Sequence, residues 1–329
     1  MITNYWAASS DPTHQAGPAL HVGRAHRATL LVVASLGQAL ERRISSVSRD
    51  EAMIIKLLGG LEARTASQTV LSPQVETVLA LLAARNNSYV AIADLIDEVW
   101  GAFAPKTAVN TIQVYVSRIR RTLQYPAGMA SPEIRHVHGN YMLRLDPHLV
   151  DADRFMNHVA EARGALSQGA IEDTADHFAA ALRLWRSEPL TGVHCGPRLA
   201  AYRRRLTRLH EEATQEYASA LIAMGRHTEA IPPLEELITS NPYRETAYTH
   251  LMVALMMVGR RVDALQTFNT ARQVLRDRLG LDPSPELAAL HQRVLSGDGP
   301  DHYPESVTNS YWPVRQPPGG VVTGEHRAG

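Results

Sequence analysis

The chain has 329 residues, more than a typical single domain, which indicates two domains with terminal segments. Lysine and arginine together number 33, as do aspartate and glutamate, so the net charge is zero and bulk charge gives no evidence of a nucleic-acid partner. A single cysteine, Cys195, excludes an intramolecular disulfide framework and a multi-cysteine zinc site, and fits a reducing cytoplasm.

The first 50 residues are predicted to be a largely disordered extension with one helix. Proline, glycine, serine and histidine occur over residues 1–28 without periodicity. Apolar residues recur at helical spacing over residues 29–44, which predicts an amphipathic helix. Its most apolar run, residues 30–36, is too short to span a bilayer, so no membrane association is expected.

A first domain is predicted over residues 51–146, and it begins with a small sheet. Short apolar runs over residues 53–70 are interrupted by Gly59 and Gly60, a pattern of short strands joined by turns. Ser72 and Pro73 then predict the start of a helix, with serine as the N-cap and proline in the first helical position.

A second helix is predicted over residues 90–100, ended by Gly101 and Pro105. Its apolar residues are expected to face inward, and its acidic residues are expected to face solvent: Asp94, Asp97 and Glu98.

A third helix is predicted over residues 106–123, followed by a β-hairpin over residues 134–145 with its turn at Gly139 and Asn140. One side of the helix is an apolar stripe made of Ile112, Val116, Ile119 and Leu123. The opposite side is polar and basic and consists of Asn110, Gln113, Val114, Ser117, Arg118, Arg120 and Arg121.

No carboxylate occurs between residues 106 and 131, and residues 106–144 contain six basic residues and one acidic residue. Guanidinium, asparagine and glutamine groups on one helix suit phosphates and base edges, although a solvated basic face is the alternative. The hairpin can grip the flanking backbone, or it can be purely structural. Its polar residues on or beside the turn are Arg135, His136, His138 and Asn140.

A second, all-helical domain is predicted over residues 151–296. Met224-Gly225-Arg226 and Val258-Gly259-Arg260 are 34 residues apart, which is the period of TPR helical repeats. Five prolines after residue 297 predict a disordered tail over residues 297–329. The predicted fold is therefore mainly α: a winged helix-turn-helix with a small sheet and hairpin wing, then a TPR-like domain.

These residues resemble the SARP family of actinobacterial transcriptional activators, which join an OmpR-like winged helix to a bacterial transcriptional activator domain. In the first domain the resemblance lies in LSPQVETVLALLAARNN (71–87), LIDEVWG (95–101), NTIQVYVSRIRRTL (110–123) and HGNYMLRL (138–145). In the second domain it lies in LRLWRSEPL (182–190), LMVALMMVGRRVDAL (251–265) and RLGLDPSPELAALHQRVL (278–295).

The resemblance implies an activator of a secondary-metabolite (antibiotic) gene cluster, binding direct repeats in double-stranded promoter DNA as a head-to-tail homodimer. It implies DNA contact by Asn110, Val114, Tyr115, Ser117, Arg118 and Arg120. It also implies contact with RNA polymerase and its sigma factor, for which the candidate residues are Ala102, Phe103, Ala104, Pro105 and Lys106.

The sequence departs from the family pattern at three places. Asn140 stands where the family's hairpin more often has glycine, Thr122 follows the arginine pair, and the N-terminal extension is longer than usual. The first affects only details of the wing, because asparagine also tolerates positive φ.

Other classes of function have less support in the sequence. Hydrolase, phosphate-binding, metalloprotease and dinucleotide-binding motifs are missing from it, so no enzyme activity, cofactor or metal is expected. The main alternative to an activator is a TPR-type interaction scaffold whose winged helix does not bind DNA. The acid-free outward face of the third helix favours DNA, because a protein-binding winged helix would not need it.

Overall fold

The structure is a computed structural model, and it describes residues 55–63, 71–123 and 132–297. The expectations for the N-terminal extension, with its helix over residues 29–44, and for the tail after residue 297 lie outside the described residues. Within the described part the chain is mainly helical, and its strands fall between residues 55 and 144. The predicted fold class is confirmed.

The first domain packs three helices against short antiparallel strands. Its helices are α1 (Pro73–Ala84), α2 (Ile92–Trp100) and α3 (Ala108–Thr122). Its strands are β1 (Ile55–Lys56), β2 (Glu62–Ala63), β3 (Val90–Ala91), β4 (Glu133–Val137) and β5 (Asn140–Arg144). β1 pairs with β2, and a second sheet has the order β3-β5-β4. This is the expected order of sheet, three helices and hairpin.

The three helices share one apolar core because their apolar residues recur every three or four positions. Ile112 and Ile119 of α3 are fully buried, and so are Val78 and Leu82 of α1. The predicted buried stripe of α3 is therefore confirmed. α1 starts with proline in its first turn as expected, but the side chain of Ser72 makes no capping hydrogen bond.

Two predictions about the second helix are wrong. Helix α2 starts at Ile92 because Val90 belongs to strand β3 and pairs with Tyr141 of β5. Glu98 was expected to face solvent but is only 1% exposed. Its carboxylate accepts hydrogen bonds from the backbone N–H groups of Arg198 and Leu199, both at 2.9 Å. Glu98 is buried because the second domain packs against this face of α2.

The turn of the hairpin lies one residue earlier than predicted. His138 and Gly139 form it, with φ of 48° and 75°, and Asn140 is already the first residue of β5. Two consecutive positive φ angles are the geometry of a type I′ turn, whose twist matches that of the flanking strands. The left-handed non-glycine residue is therefore His138 rather than Asn140.

The second domain consists of seven helices over the described residues 151–297. They are α4 (Asp151–Ser167), α5 (Ile171–Leu182), α6 (Pro197–Ala223), α7 (His227–Ser240), α8 (Glu245–Met257), α9 (Arg261–Leu279) and α10 (Pro285–Ser296). Consecutive helices pack against each other, as in TPR-like stacks.

The predicted 34-residue repeat corresponds to two equivalent turns between helices. Gly225 follows α6 with φ of 74°, and Gly259 follows α8 with φ of 79°. Glycine adopts this left-handed conformation without a steric penalty, which allows the next helix to fold back. Ala230 and Ala264, at matching positions of α7 and α9, are fully buried. The repeat is thus a structural unit.

The two domains are joined by buried carboxylates and share an apolar core. Asp151, the first residue of α4, accepts backbone hydrogen bonds from Leu57 at 2.6 Å and Leu58 at 3.0 Å, and Arg186 lies 3.4 Å from its second oxygen. Burial raises the pKa of Asp151, although these three partners oppose that shift. None of the helices described is long and apolar enough to cross a membrane.

Candidate nucleic-acid interface

Helix α3 exposes a polar and basic face opposite its buried stripe. The residues predicted from the sequence that are exposed on this face are Asn110, Gln113, Val114, Ser117, Arg118, Arg120 and Arg121. Tyr115 is half-buried and stacks on Trp100 of α2, with ring centroids 6.1 Å apart. The packing of Tyr115 fixes the orientation of α3 on α2 and leaves only part of its ring accessible.

Arg118 is the cation of this face that is least engaged within the protein. It is exposed, and it makes no hydrogen bond or ion pair with any residue that the structure describes. Arg121 donates from Nε to the Ser117 carbonyl at 3.4 Å, and Ser117 donates from Oγ to the Gln113 carbonyl at 2.9 Å. Arg118 therefore offers all five of its N–H donors to a ligand.

Arg120 is held differently from Arg118, although both were predicted to contact DNA. Its Nε and Nη2 groups donate to the backbone carbonyl of Ile134 in β4, at 3.2 Å and 2.8 Å. These two hydrogen bonds to one carbonyl oxygen fix the hairpin to the last turns of α3. The structure thus gives Arg120 a bracing role within the protein, beside any contact it makes outside.

The hairpin presents its own polar groups on the strand and at the turn. Arg135 pairs with Glu133 at 2.9 Å, and this contact lowers the pKa of the Glu133 carboxyl. His138 is exposed at the tip of the turn. The Asn140 amide donates back into the turn, to the carbonyls of Val137 at 3.3 Å and His138 at 3.2 Å. The side chain at the tip is therefore the imidazole of His138.

Two aromatic residues near the hairpin, Tyr141 and Tyr89, were not selected from the sequence. His136 stacks on Tyr141 with ring centroids 4.6 Å apart, which keeps the imidazole on the strand surface. Tyr89 is 50% exposed, and the pKa of Arg135 is raised mainly by its hydrogen bond to Glu133 and only slightly by Tyr89. Because Tyr89 lies between α1 and β3 in the sequence, no local pattern connects it to the hairpin.

A separate exposed segment joins α2 to α3. Gly101–Phe103 form a 3-10 turn, and all residues from Gly101 to Lys106 are exposed. Phe103 is 91% exposed, the largest exposure of any large apolar side chain among the described residues. This segment contains the five residues predicted to contact RNA polymerase: Ala102, Phe103, Ala104, Pro105 and Lys106.

Metal-ligand geometry occurs elsewhere. Among the described residues, the one group of three or more histidine, cysteine or acidic side chains with converging ligand atoms is His158, Glu161 and His177 of the second domain. Cys195 is half-buried, and burial raises the pKa of its thiol, which opposes a nucleophilic role.

Known proteins match both parts of the chain. Residues 66–143 match the family model described as transcriptional regulatory protein, C terminal, and residues 150–295 match the bacterial transcriptional activator domain. The regulatory protein DnrI of Streptomyces peucetius is 30% identical over 253 residues, covering 75% of this chain and 93% of DnrI. The transcriptional regulator RedD of Streptomyces coelicolor is 33% identical over 253 residues, covering 74% of this chain and 71% of RedD.

A solved structure has the same arrangement of elements. EmbR of Mycobacterium tuberculosis, determined in complex with a low affinity phosphopeptide, superimposes with a TM-score of 0.68 at 29% identity. The superposition covers 79% of this chain and 69% of EmbR. The likeness therefore extends across both domains.

Proposed function

The chain belongs to the SARP family of transcriptional regulators, and we propose that it is a sequence-specific DNA-binding activator. In this proposal residues 51–146 bind promoter DNA and residues 151–296 form the partner domain. The targets are direct repeats near promoters of a secondary-metabolite gene cluster, bound by a head-to-tail pair of chains. The DNA-bound chains then recruit RNA polymerase and its sigma factor.

The single observation that carries DNA binding is the unpaired Arg118 on an exposed helix face without acidic residues. Helix α3 has 15 residues and is about 22 Å long, enough to lie along the major groove. Arg118 suits a guanine edge or a phosphate, while Asn110 and Gln113 suit an adenine edge. Val114, 50% exposed on the same face, suits contact with a thymine methyl group.

The hairpin supports the proposal because it is fixed relative to α3. The two hydrogen bonds from Arg120 to Ile134 hold the hairpin close to the recognition face. Arg135 and the exposed His138 are then positioned to reach the phosphate backbone or the minor groove beside the site of α3. Such contacts set orientation on the duplex, which a head-to-tail pair on direct repeats requires.

The 3-10 segment between α2 and α3 supports contact with the transcription machinery. Phe103 is 91% exposed, so its ring is accessible to a partner, and aromatic side chains are frequent in the centre of protein interfaces. Lys106 adds a positive charge at the same segment, which suits an acidic surface of sigma factor.

The test is a gel shift of the full chain on promoters of neighbouring genes, with salt varied. Arg118→Ala is expected to lower specific affinity by about 1–3 kcal/mol, roughly 5- to 150-fold. Arg278→Ala is the matched control, because Arg278 is an exposed arginine at the end of α9 and should leave binding unchanged. Loss of binding as salt rises would support phosphate contacts. No shift on any promoter would favour the interaction scaffold.

A further inference from the structure

Two histidines and a glutamate converge on the surface of the second domain. His158 and Glu161 lie on α4, and His177 lies on α5. The Nδ1 atom of each histidine is 3.1 Å from the same oxygen, Oε2 of Glu161. All three ligand atoms lie within 4.8 Å of one another. One carboxylate oxygen therefore stands between two imidazole nitrogens.

The packing of the first helical pair produces this cluster. His158 and Glu161 are three residues apart, so their side chains project from the same face of α4. α5 folds back along α4 after the turn that contains Gly169, and this places His177 beside that face. The two imidazole rings lie 6.0 Å apart between centroids, at an interplanar angle of 38°.

The distances fit a tetrahedral metal site. Zinc binds histidine nitrogen and carboxylate oxygen at about 2.0–2.2 Å, which places neighbouring ligand atoms about 3.3 Å apart. The two contacts with Glu161, at 3.1 Å, are already close to this value. The third distance, between the two histidine nitrogens, is at most 4.8 Å and would have to shorten through side-chain rotation.

The charges around the cluster also suit a cation. Among the described residues, the ion-pair partners of Glu161 are the two histidines, so its charge is not already neutralised by an arginine.

We propose that His158, Glu161 and His177 form a binding site for Zn²⁺ that links α4 to α5. Two imidazoles and one carboxylate are the ligand set of open zinc sites, and they disfavour Mg²⁺ and Ca²⁺, which prefer oxygen ligands throughout. The three side chains are 24%, 52% and 38% exposed in chain order, so the ion can enter from solvent. A fourth position is left for water or a further ligand.

The test is a Zn²⁺ titration of the chelator-treated full chain by isothermal calorimetry. The chain contains 15 histidines, so the site must be separated from weak background binding. The double variant His158→Asn/His177→Asn is expected to weaken the tightest zinc site about 100-fold or more. The control His148→Asn, which removes an exposed histidine elsewhere, should keep that site unchanged.

A second measurement reports the ligands directly. Co²⁺ bound in place of zinc should give the visible absorption of tetrahedral cobalt with nitrogen and oxygen ligands, and Glu161→Gln should weaken or shift that spectrum. Circular dichroism checks that each variant remains folded. Zinc binding of equal affinity in the double variant, or no saturable site in the unmodified chain, would overturn the proposal.

Discussion

Replacing Glu98 by alanine should destabilise the whole protein, although the residue lies in an acidic stretch of a surface helix. Its carboxylate is 1% exposed and accepts two backbone hydrogen bonds, from Arg198 and Leu199 in the first turn of α6. Those N–H groups lack partners within their own helix, and a buried donor left unsatisfied costs about 1–3 kcal/mol. Two such donors give an expected loss of about 4 kcal/mol in the free energy of unfolding.

Asp97→Ala provides the matched control because Asp97 also contacts Arg198, but at the surface. The Asp97 carboxylate is 2.7 Å from Nη1 of Arg198, and both side chains are substantially exposed. An exposed ion pair contributes about 1 kcal/mol or less. Glu98→Gln, which keeps one acceptor oxygen, should fall between the two variants at about 2 kcal/mol.

The assay is urea unfolding of the full chain, followed by tryptophan fluorescence for Glu98→Ala, Glu98→Gln and Asp97→Ala. Glu98→Ala should lower the free energy of unfolding most, Glu98→Gln less, and Asp97→Ala least. Equal losses for Glu98→Ala and Asp97→Ala would refute the reasoning, because the buried hydrogen bonds would then contribute nothing beyond a surface ion pair.

Three further predictions concern the hairpin, a helix turn and pH. Arg120→Ala should weaken specific DNA binding about tenfold, because it removes the hydrogen bonds that hold the hairpin to α3. Unchanged binding in a gel shift would contradict this. Gly259→Ala should lower the free energy of unfolding by about 1 kcal/mol, because Gly259 has a φ of 79°. Gly164→Ala, inside α4 and with open space around it, should raise the free energy of unfolding by about 0.5–1 kcal/mol. Equal shifts of the two melting temperatures would contradict this. Burial lowers the pKa of His210 and of His250 to about 4. Between about pH 6.5 and pH 4 these histidines are therefore protonated in the unfolded chain but not in the folded chain. The free energy of unfolding should fall as the pH drops through this range. Urea midpoints that stay constant over this pH range would contradict the role of the two buried histidines. His250→Asn should make the midpoint depend less steeply on pH.

Sequence periodicity was sufficient to predict the three helices of the winged helix, although not strand β3, because burial follows the period of a helix. Ile112, Val116 and Ile119 recur every three or four residues, and all three are buried in α3. The glycines of the 34-residue repeat were equally informative, since each turn needs a left-handed residue. In both cases the determining contacts lie within a few turns of chain.

The position of Glu98 could not be predicted because its partners are about a hundred residues away. A carboxylate on an amphipathic helix is usually solvated, so the local pattern favours exposure. What buries Glu98 is the approach of α6, and that approach is tight: a Cβ added at Gly196 would lie 2.5 Å from the Glu98 carbonyl oxygen. This packing requirement for glycine is also invisible in a local pattern.

In the candidate site, too, local sequence predicted the exposed face, but contacts between distant residues could not be predicted. Arg118 and Arg120 have similar local sequences and both belong to the basic face of α3, but only Arg120 reaches the carbonyl of Ile134 in the hairpin. The zinc ligands were missed for a related reason. His158 and Glu161 are separated from His177 by the turn between α4 and α5, so no short motif contains all three.

The buried carboxylates have a consequence for the proposed activator. Asp151 ties the start of α4 to the two residues that follow β1, and Glu98 ties α2 to the start of α6, so the second domain is anchored to the first at two separate places. Two anchors resist rotation as well as separation. In the proposed complex with DNA, the second domain would therefore be held at a defined position relative to α3, and direct repeats would place successive helical domains at a regular spacing. Loosening one anchor by Glu98→Ala should thus weaken activation more than it weakens binding of a single chain to a single site.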